Sequence, residues 1–286
     1  MEHPWNEMSA PPELEEALLT VIARNRSGAL RAVGTAFVVR ALPDRALAIT
    51  AAHVLREVHR LQLGQGIRTH PTIPSEFAPR LPPIDLSAGN LVLATVNRSQ
   101  LVFAVAVGLA FDEDGDFAVL DLRPQEAREG DFPLREFILD DRMPDRGQLI
   151  GIASYRYPEV HFQEPQTLRV ARQPALRVGK VTAVFPSGQR LCRGPCFETS
   201  IPVYSGMSGG PVLSLQADGR LLAIGLVCSD PDLDGPSKDD RSTAGRSLVA
   251  KLPVRRVAGN AKARQEVELT FKLTVGAGSF SPRSRP

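Results

Sequence analysis

The run Gly206-Met207-Ser208-Gly209-Gly210-Pro211 constrains this chain more than any other, once it is read beside the positions of the histidines. A serine set between glycines suits a tight turn whose backbone N–H groups are free to hold an oxyanion. Gly-x-Ser-x-Gly is also the nucleophile elbow of α/β-hydrolases, in which the partner histidine follows the serine. The five histidines here are His3, His53, His59, His70 and His161, and all of them precede Ser208. That order excludes the hydrolase arrangement and leaves one with histidine first. Two segments offer partners: Thr50-Ala51-Ala52-His53 closes one apolar run, and Asp116-Phe117-Ala118-Val119-Leu120 opens another.

The middle of the chain reads as β. Short runs rich in Val, Ile, Leu and Phe, such as 35–39, 47–50, 91–96, 101–107, 119–122 and 181–185, are separated by Gly, Pro and Asp. Many short strands with turn signals between them argue for a sandwich or barrel. Asn97-Arg98-Ser99-Gln100 reads as a hairpin turn. Helix signals are read only near the ends: Ser9 as a cap before Pro11-Pro12, and a second helix over 253–265. Residues 64–86, rich in proline, and 229–246, rich in Gly and Asp, read as long loops. Strict alternation over Val267–Val275 predicts a half-buried strand, which covers an edge of its own barrel or else pairs with a partner chain.

The segments Thr-Ala-Ala-His, Asp-Phe-Ala-Val-Leu and Gly-Met-Ser-Gly-Gly-Pro together resemble the three signature segments of trypsin-like serine peptidases, nearest to the bacterial branch of high-temperature-requirement proteases. The resemblance extends over roughly 18–258, through Gly147–Ala153, Val178–Val184, Leu222–Val227 and Leu248–Val254. It implies an all-β fold of two six-stranded antiparallel β-barrels, with the active site between them and short helices near the termini. The implied divisions are an N-terminal extension (1–17), a first barrel with His53 and Asp116 (18–128), a second barrel with Ser208 (129–258), and an extra strand with a tail (259–286).

Serine hydroxyl is a weak nucleophile at neutral pH, so a base must take its proton as it attacks. The resemblance assigns Ser208 as nucleophile, His53 as general base then acid, and Asp116 as the carboxylate that orients the imidazole. The N–H groups of Gly206 and Ser208 would form the oxyanion hole. Pro202, Val227, Cys228, Ser229 and Asp230 fall where the family's specificity pocket lies. Pro202 stands where trypsin carries an acidic pocket base, so a small or medium uncharged residue is expected before the cleaved bond. Met207 replaces the aspartate that pairs with a freed N-terminus in digestive enzymes, and activation by that clip is not expected.

Competing readings fail on particular residues. The acidic run 112–116 departs from a calcium loop, because Phe117 and Arg123 stand where glycine and glutamate are needed. Asp44 before His53 would give the subtilisin order, but the β-rich pattern does not fit that α/β fold. Cys192 and Cys196 resemble half a zinc site without a second ligand pair. With Cys228 they read as structural thiols ahead of a disulfide.

A net charge of +2, from 34 basic and 32 acidic side chains, gives no general field for nucleic acid. No run is long enough for a membrane span. No basic and apolar leader is evident at the start, so a cytoplasmic setting in a bacterium is expected. The expected partners are a protein or peptide substrate and an activating partner encoded nearby, with no cofactor and no metal. The alternative is a protease-shaped binding or regulatory module that is latent or inactive.

Overall fold

A computed structural model describes residues 5–65, 84–87, 90–97, 100–112, 115–125, 134–163, 167–217, 219–229, 245–256, 267–269 and 274–275. The chain enters through β1 (Asn6–Ser9) and a single turn, α1 (Pro12–Glu15). The first barrel then takes β2 (Leu18–Arg24), β3 (Leu30–Ala41) and β4 (Ala46–Ala51). After α2 (Ala52–Gln62) it continues with β5 (Leu91–Asn97), β6 (Gln100–Asp112) and β7 (Phe117–Pro124). Pairing runs β2–β3–β4–β7–β6–β5 and back to β2, which closes six antiparallel strands.

A two-residue edge strand, β8 (Ile138–Leu139), leads into the second barrel. That barrel comprises β9 (Leu149–Gln163), β10 (Thr167–Phe185), β11 (Cys196–Thr199), β12 (Pro211–Leu215), β13 (Leu221–Ser229) and β14 (Ser247–Lys251). It closes in the order β9–β10–β11–β14–β13–β12, again antiparallel. Closure removes sheet edges, and inward Val, Ile, Leu and Phe fill each interior. Phe37, Ile49, Leu93 and Leu120 are buried in the first barrel, and Ile152, Phe197, Val212 and Val249 in the second.

A polar seam joins the barrels. The buried Tyr155 hydroxyl of β9 donates to the Leu18 carbonyl at 2.9 Å and accepts from Arg172 at 2.8 Å. Arg172 also reaches the Ala94 carbonyl and the Glu15 carboxylate, both at 3.1 Å. Its guanidinium lies 4.7 Å from the Tyr155 ring centre. Burial pushes the Tyr155 phenol upward, so it stays a neutral donor. Higher up, the β9–β10 hairpin carries Val160 and Val170 onto Ile22, Leu30 and Ala94 of the first barrel.

Two barrels were legible in the sequence, but several details differ. The amphipathic α2, with buried Val54, Leu55, Val58 and Leu61, is an eleven-residue helix in mid-chain, where no helix is read from the sequence. Its helical spacing was present, but it follows directly on a strand, and the strand signal hid it. Ser9 does not cap a helix; it ends β1, and α1 starts behind Pro11 with no side-chain cap. The helix expected over 253–265 is replaced at its start by β15 (Val254–Arg256), which pairs with β16 (Val267–Leu269). The alternating segment 267–275 contains β16 and β17 (Thr274–Val275) as separate pieces. The latter pairs with Phe111 and Ala110 of β6 and so lies along the first barrel of its own chain. Asn97 pairs with Gln100 as the hairpin reading requires. The loop interiors 66–83 and 230–244, the tail, His3 and His70 lie outside the described residues.

Candidate active site

The site is assembled where the barrels meet. His53 is the second residue of α2, whose preceding Ala51 has no side chain able to cap it. Asp116 takes over that role from the start of β7. Its carbonyl accepts from the Ala52 N–H at 3.0 Å, and its Oδ1 accepts from the His53 N–H at 2.9 Å. A carboxylate is favoured at a helix N-terminus, so one group both starts the helix and fixes the histidine. The other oxygen, Oδ2, lies 2.8 Å from His53 Nδ1. Asp116 is 1% exposed and has φ +50°, and it is the one non-glycine residue at positive φ among the described residues. Left-handed backbone at an aspartate costs about 1–2 kcal/mol, which the three bonds to α2 offset.

Ser208 arrives from the second barrel on a turn that presses into the first. Its carbonyl accepts from the Thr35 N–H at 2.8 Å, and Gly206's carbonyl accepts from the Thr35 hydroxyl at 2.6 Å. Gly209 has φ +81°, and a Cβ on it would lie 2.3 Å from the Thr35 carbonyl oxygen and 2.9 Å from the Ala51 nitrogen. Only glycine fits there, which brings the serine turn against the strand end that leads into His53. Gly209→Ala is expected to destabilise by roughly 3 kcal/mol or more, from overpacking added to left-handed strain. Gly28→Ala, with φ +87° and nothing within 4 Å, is expected to show only the strain component. Urea unfolding of the two variants separates the terms.

The turn holds itself together through Met207, which is buried among Ile150, Ile152, Val212 and Val227. Its N–H donates to the Tyr204 carbonyl at 3.1 Å, and its carbonyl accepts from the Gly210 N–H at 2.9 Å. Gly209 and Gly210 also exchange bonds with Val227 of β13, each at 2.9 Å. The N–H groups of Gly206 and Ser208 donate to no acceptor among the described residues. His53 Nε2 is buried and likewise lacks a hydrogen-bond partner there.

A family model described as a trypsin-like peptidase domain matches residues 34–224, two thirds of the chain, a range that includes His53, Asp116 and Ser208. The chain belongs to the trypsin-like peptidases. Among solved structures, this peptidase is similar to the active form of the Rv3671c protease from M. tuberculosis, at 14% identity over 83% of this chain and 77% of that one, with a TM-score of 0.44. It is similar also to human heparin binding protein, at 15% identity over 86% and 90%, with a TM-score of 0.46. No curated protein matches it.

The remaining sequence-selected residues of this trypsin-like peptidase are differently placed. Val227 is packed in the second barrel's core. Pro202 is buried, and a Cβ on Gly245 would lie 2.8 Å from its ring. Asp230 and Asp114 lie outside the described residues, and of Ser229 only the backbone is described. Asp112 is used locally, accepting the Gly115 N–H at 3.2 Å.

Cys228 sits at the register shift between Val227 and Ser229 on β13. A bulge re-aims a side chain, and here the thiol turns inward, 2.9 Å from Asp116 Oδ2. This contact was not legible in the sequence. Cys192 and Cys196 lie beside it, and all three cysteines are free and buried. A hydrogen bond to Cys192 pulls the Cys228 thiol down, but burial and the Asp116 carboxylate outweigh it and push it up to about 12. Burial, contact with Cys228 and the Asp116 charge likewise raise Cys192, against a hydrogen bond to Cys196 that lowers it. Contact with Cys192 and burial raise Cys196. A raised pKa keeps the proton on the thiol until pH climbs through that higher value. Cys228 therefore remains a donor to Asp116 across neutral pH. Iodoacetamide at mildly alkaline pH should leave the native chain unmodified and add three groups after unfolding, as read by intact mass. An adduct on the native chain would mean that the cluster opens. Among the described residues, no three His, Cys, Asp or Glu side chains are arranged to hold a metal ion.

Proposed function

We propose that this peptidase hydrolyses peptide bonds through an acyl-enzyme on Ser208, with His53 as general base then acid and Asp116 as the orienting carboxylate. The observation that carries the reading is the double hold of Asp116 on His53, at 2.9 Å to its N–H and 2.8 Å to Nδ1. With Nδ1–H donating to the carboxylate, the free nitrogen is Nε2, the one that must take the serine proton. The uncommitted N–H groups of Gly206 and Ser208 support their role as the oxyanion hole. Substrate would lie extended between the barrels. That Pro202 is uncharged supports a small or medium uncharged residue before the cleaved bond. The reading extends to limited cleavage of chosen proteins, with an activating partner, in a reducing cytoplasmic setting supported by three free thiols.

One observation favours a second reading, in which the site is latent. His53 Nε2 has no hydrogen-bond partner among the described residues, Ser208 included, so the serine hydroxyl does not bond to it in this state. Catalytic hydrogen bonds often tighten only when substrate binds. Intact-mass labelling with a fluorophosphonate decides between the readings. A single adduct on the native chain, absent from Ser208→Ala, is the expected result. No adduct on either chain would overturn the active reading in favour of the latent one.

A further inference from the structure

The turn carrying Gly206 and Ser208 is braced from a place outside both barrels. β1 adds to the free side of β10, with Asn6 opposite Val178, Glu7 opposite Arg177 and Met8 opposite Leu176. Residues two apart on a strand share a face, so Trp5 and Glu7 point one way and Met8 the other. Met8 is exposed. The other face carries contacts toward the serine turn. Glu7 pairs with Arg177 at 2.7 Å, and the Arg177 side chain is fully buried. Arg177 lies 5.0 Å over the centre of the Tyr204 ring and donates to Ser154 Oγ at 3.3 Å. Trp5 meets the same Tyr204 ring edge-on, with centroids 6.3 Å apart. Tyr204 is two residues before Gly206, and it clasps Met207 from both sides: its N–H donates to Met207 Sδ and its carbonyl accepts from the Met207 N–H, both at 3.1 Å.

We propose that the segment Trp5–Ser9 is a positioning strap for the oxyanion turn, acting through Arg177 and Tyr204 on the N–H groups of Gly206 and Ser208. Met207 is apolar, so the turn has no charge of its own inside the barrel to anchor it. The charge anchor is displaced outward, to a buried guanidinium capped on one side by the Tyr204 ring and on the other by Glu7. Removing Glu7 would leave charge on the buried guanidinium less compensated, which destabilises the place where that guanidinium stacks on the Tyr204 ring. Without the strap the Tyr204 ring loses its edge contact and the turn gains freedom. The groups affected are those that must be held fixed to meet a developing oxyanion. The catalytic consequence rests on the activity proposed above; the mechanical link does not.

Two readouts keep those apart. Hydrogen exchange of the 203–207 segment, where the Met207 N–H is bonded to Tyr204, reads the link without any need for activity. The rate of Ser208 phosphonylation by a fluorophosphonate reads its effect on the site. Trp5→Ala should speed exchange and slow phosphonylation, each by roughly five- to tenfold, the factor that corresponds to losing an aromatic contact. Trp5→Phe should restore most of both, and Met8→Ala on the outward face should leave both unchanged. Glu7→Gln should have the larger effect; if it fails to fold, the Trp5 pair still decides. The pH profile of phosphonylation should keep its shape in Trp5→Ala, because His53 and Asp116 are untouched. Unchanged exchange in Trp5→Ala overturns the strap, whatever the chemistry does. Faster exchange with native phosphonylation overturns its positioning role. A native chain that takes no label overturns the proposed activity and leaves the exchange result to decide the link.

Discussion

Ser208→Ala is expected to lower peptide hydrolysis by about a millionfold while leaving the melting temperature within a degree or so of the native value, because a triad acts as a unit and loses most of its effect with any one member. The reason for the split lies in how the turn is held. Its anchors are the Ser208 carbonyl on Thr35, the glycine carbonyl at 206 on the Thr35 hydroxyl, and the glycine pair on Val227. All of these use backbone at the turn, and alanine keeps every one. The serine hydroxyl contributes to none, so its removal deletes the nucleophile and little else. Turnover of a peptide substrate, measured beside thermal unfolding of the same preparation, checks both halves. Residual turnover near the native level would place the nucleophile elsewhere, and Ser205, exposed in the same turn, would be the first residue to examine. A large drop in melting temperature would instead mean that the hydroxyl is structural.

The fold class, and the segments that the fold brings to the seam between the barrels, were legible in this sequence; the long-range contacts among them were less so. His53, Asp116 and Ser208 stand out because each borders a β-type apolar run, and turn residues beside an apolar run are a local signal. The number of short strand-like runs points to a sandwich or a barrel, and the two closed barrels are what the resemblance to trypsin-like peptidases implies. What was hidden depends on register. Whether Cys228 faces a pocket or Asp116 is decided by a one-residue bulge on β13, and a slip of one residue moves a side chain to the other face. The mid-chain helix was hidden for a different reason. Its cap is not the residue before it but Asp116, more than sixty positions away, so no local start signal exists. The strap was likewise invisible, because Glu7 and Arg177 are brought opposite each other only by the pairing of β1 with β10. For the thiol and the strap the missing information is a long-range pairing, which periodicity along one segment does not contain; the helix did carry its apolar spacing and lacked only a local start signal.

Asp116→Asn should leave the fold standing and cut turnover by about four orders of magnitude, the loss associated with a histidine locked in the wrong tautomer. Asparagine tolerates the left-handed backbone as well as aspartate does, so φ +50° adds no new strain. The difficulty is one of donors. The carboxylate accepts three bonds, from the His53 N–H, from His53 Nδ1 and from the Cys228 thiol. An amide has one accepting oxygen. If that oxygen keeps the backbone N–H, the NH2 group faces Nδ1 and forces the ring proton onto Nε2, where it blocks acceptance from serine. If the amide turns the other way, its NH2 opposes the backbone N–H at the start of α2. Either orientation sacrifices a bond to a charged acceptor and the charge at the helix N-terminus, a cost of about 2–3 kcal/mol in stability. Turnover and urea unfolding should therefore both fall, the first far more than the second allows. The imidazole proton spectrum should show the ring proton moved from Nδ1 to Nε2. Native turnover in this variant would remove Asp116 from the mechanism, and Asp112, whose carboxylate is committed to the Gly115 N–H, would then have to be freed to replace it.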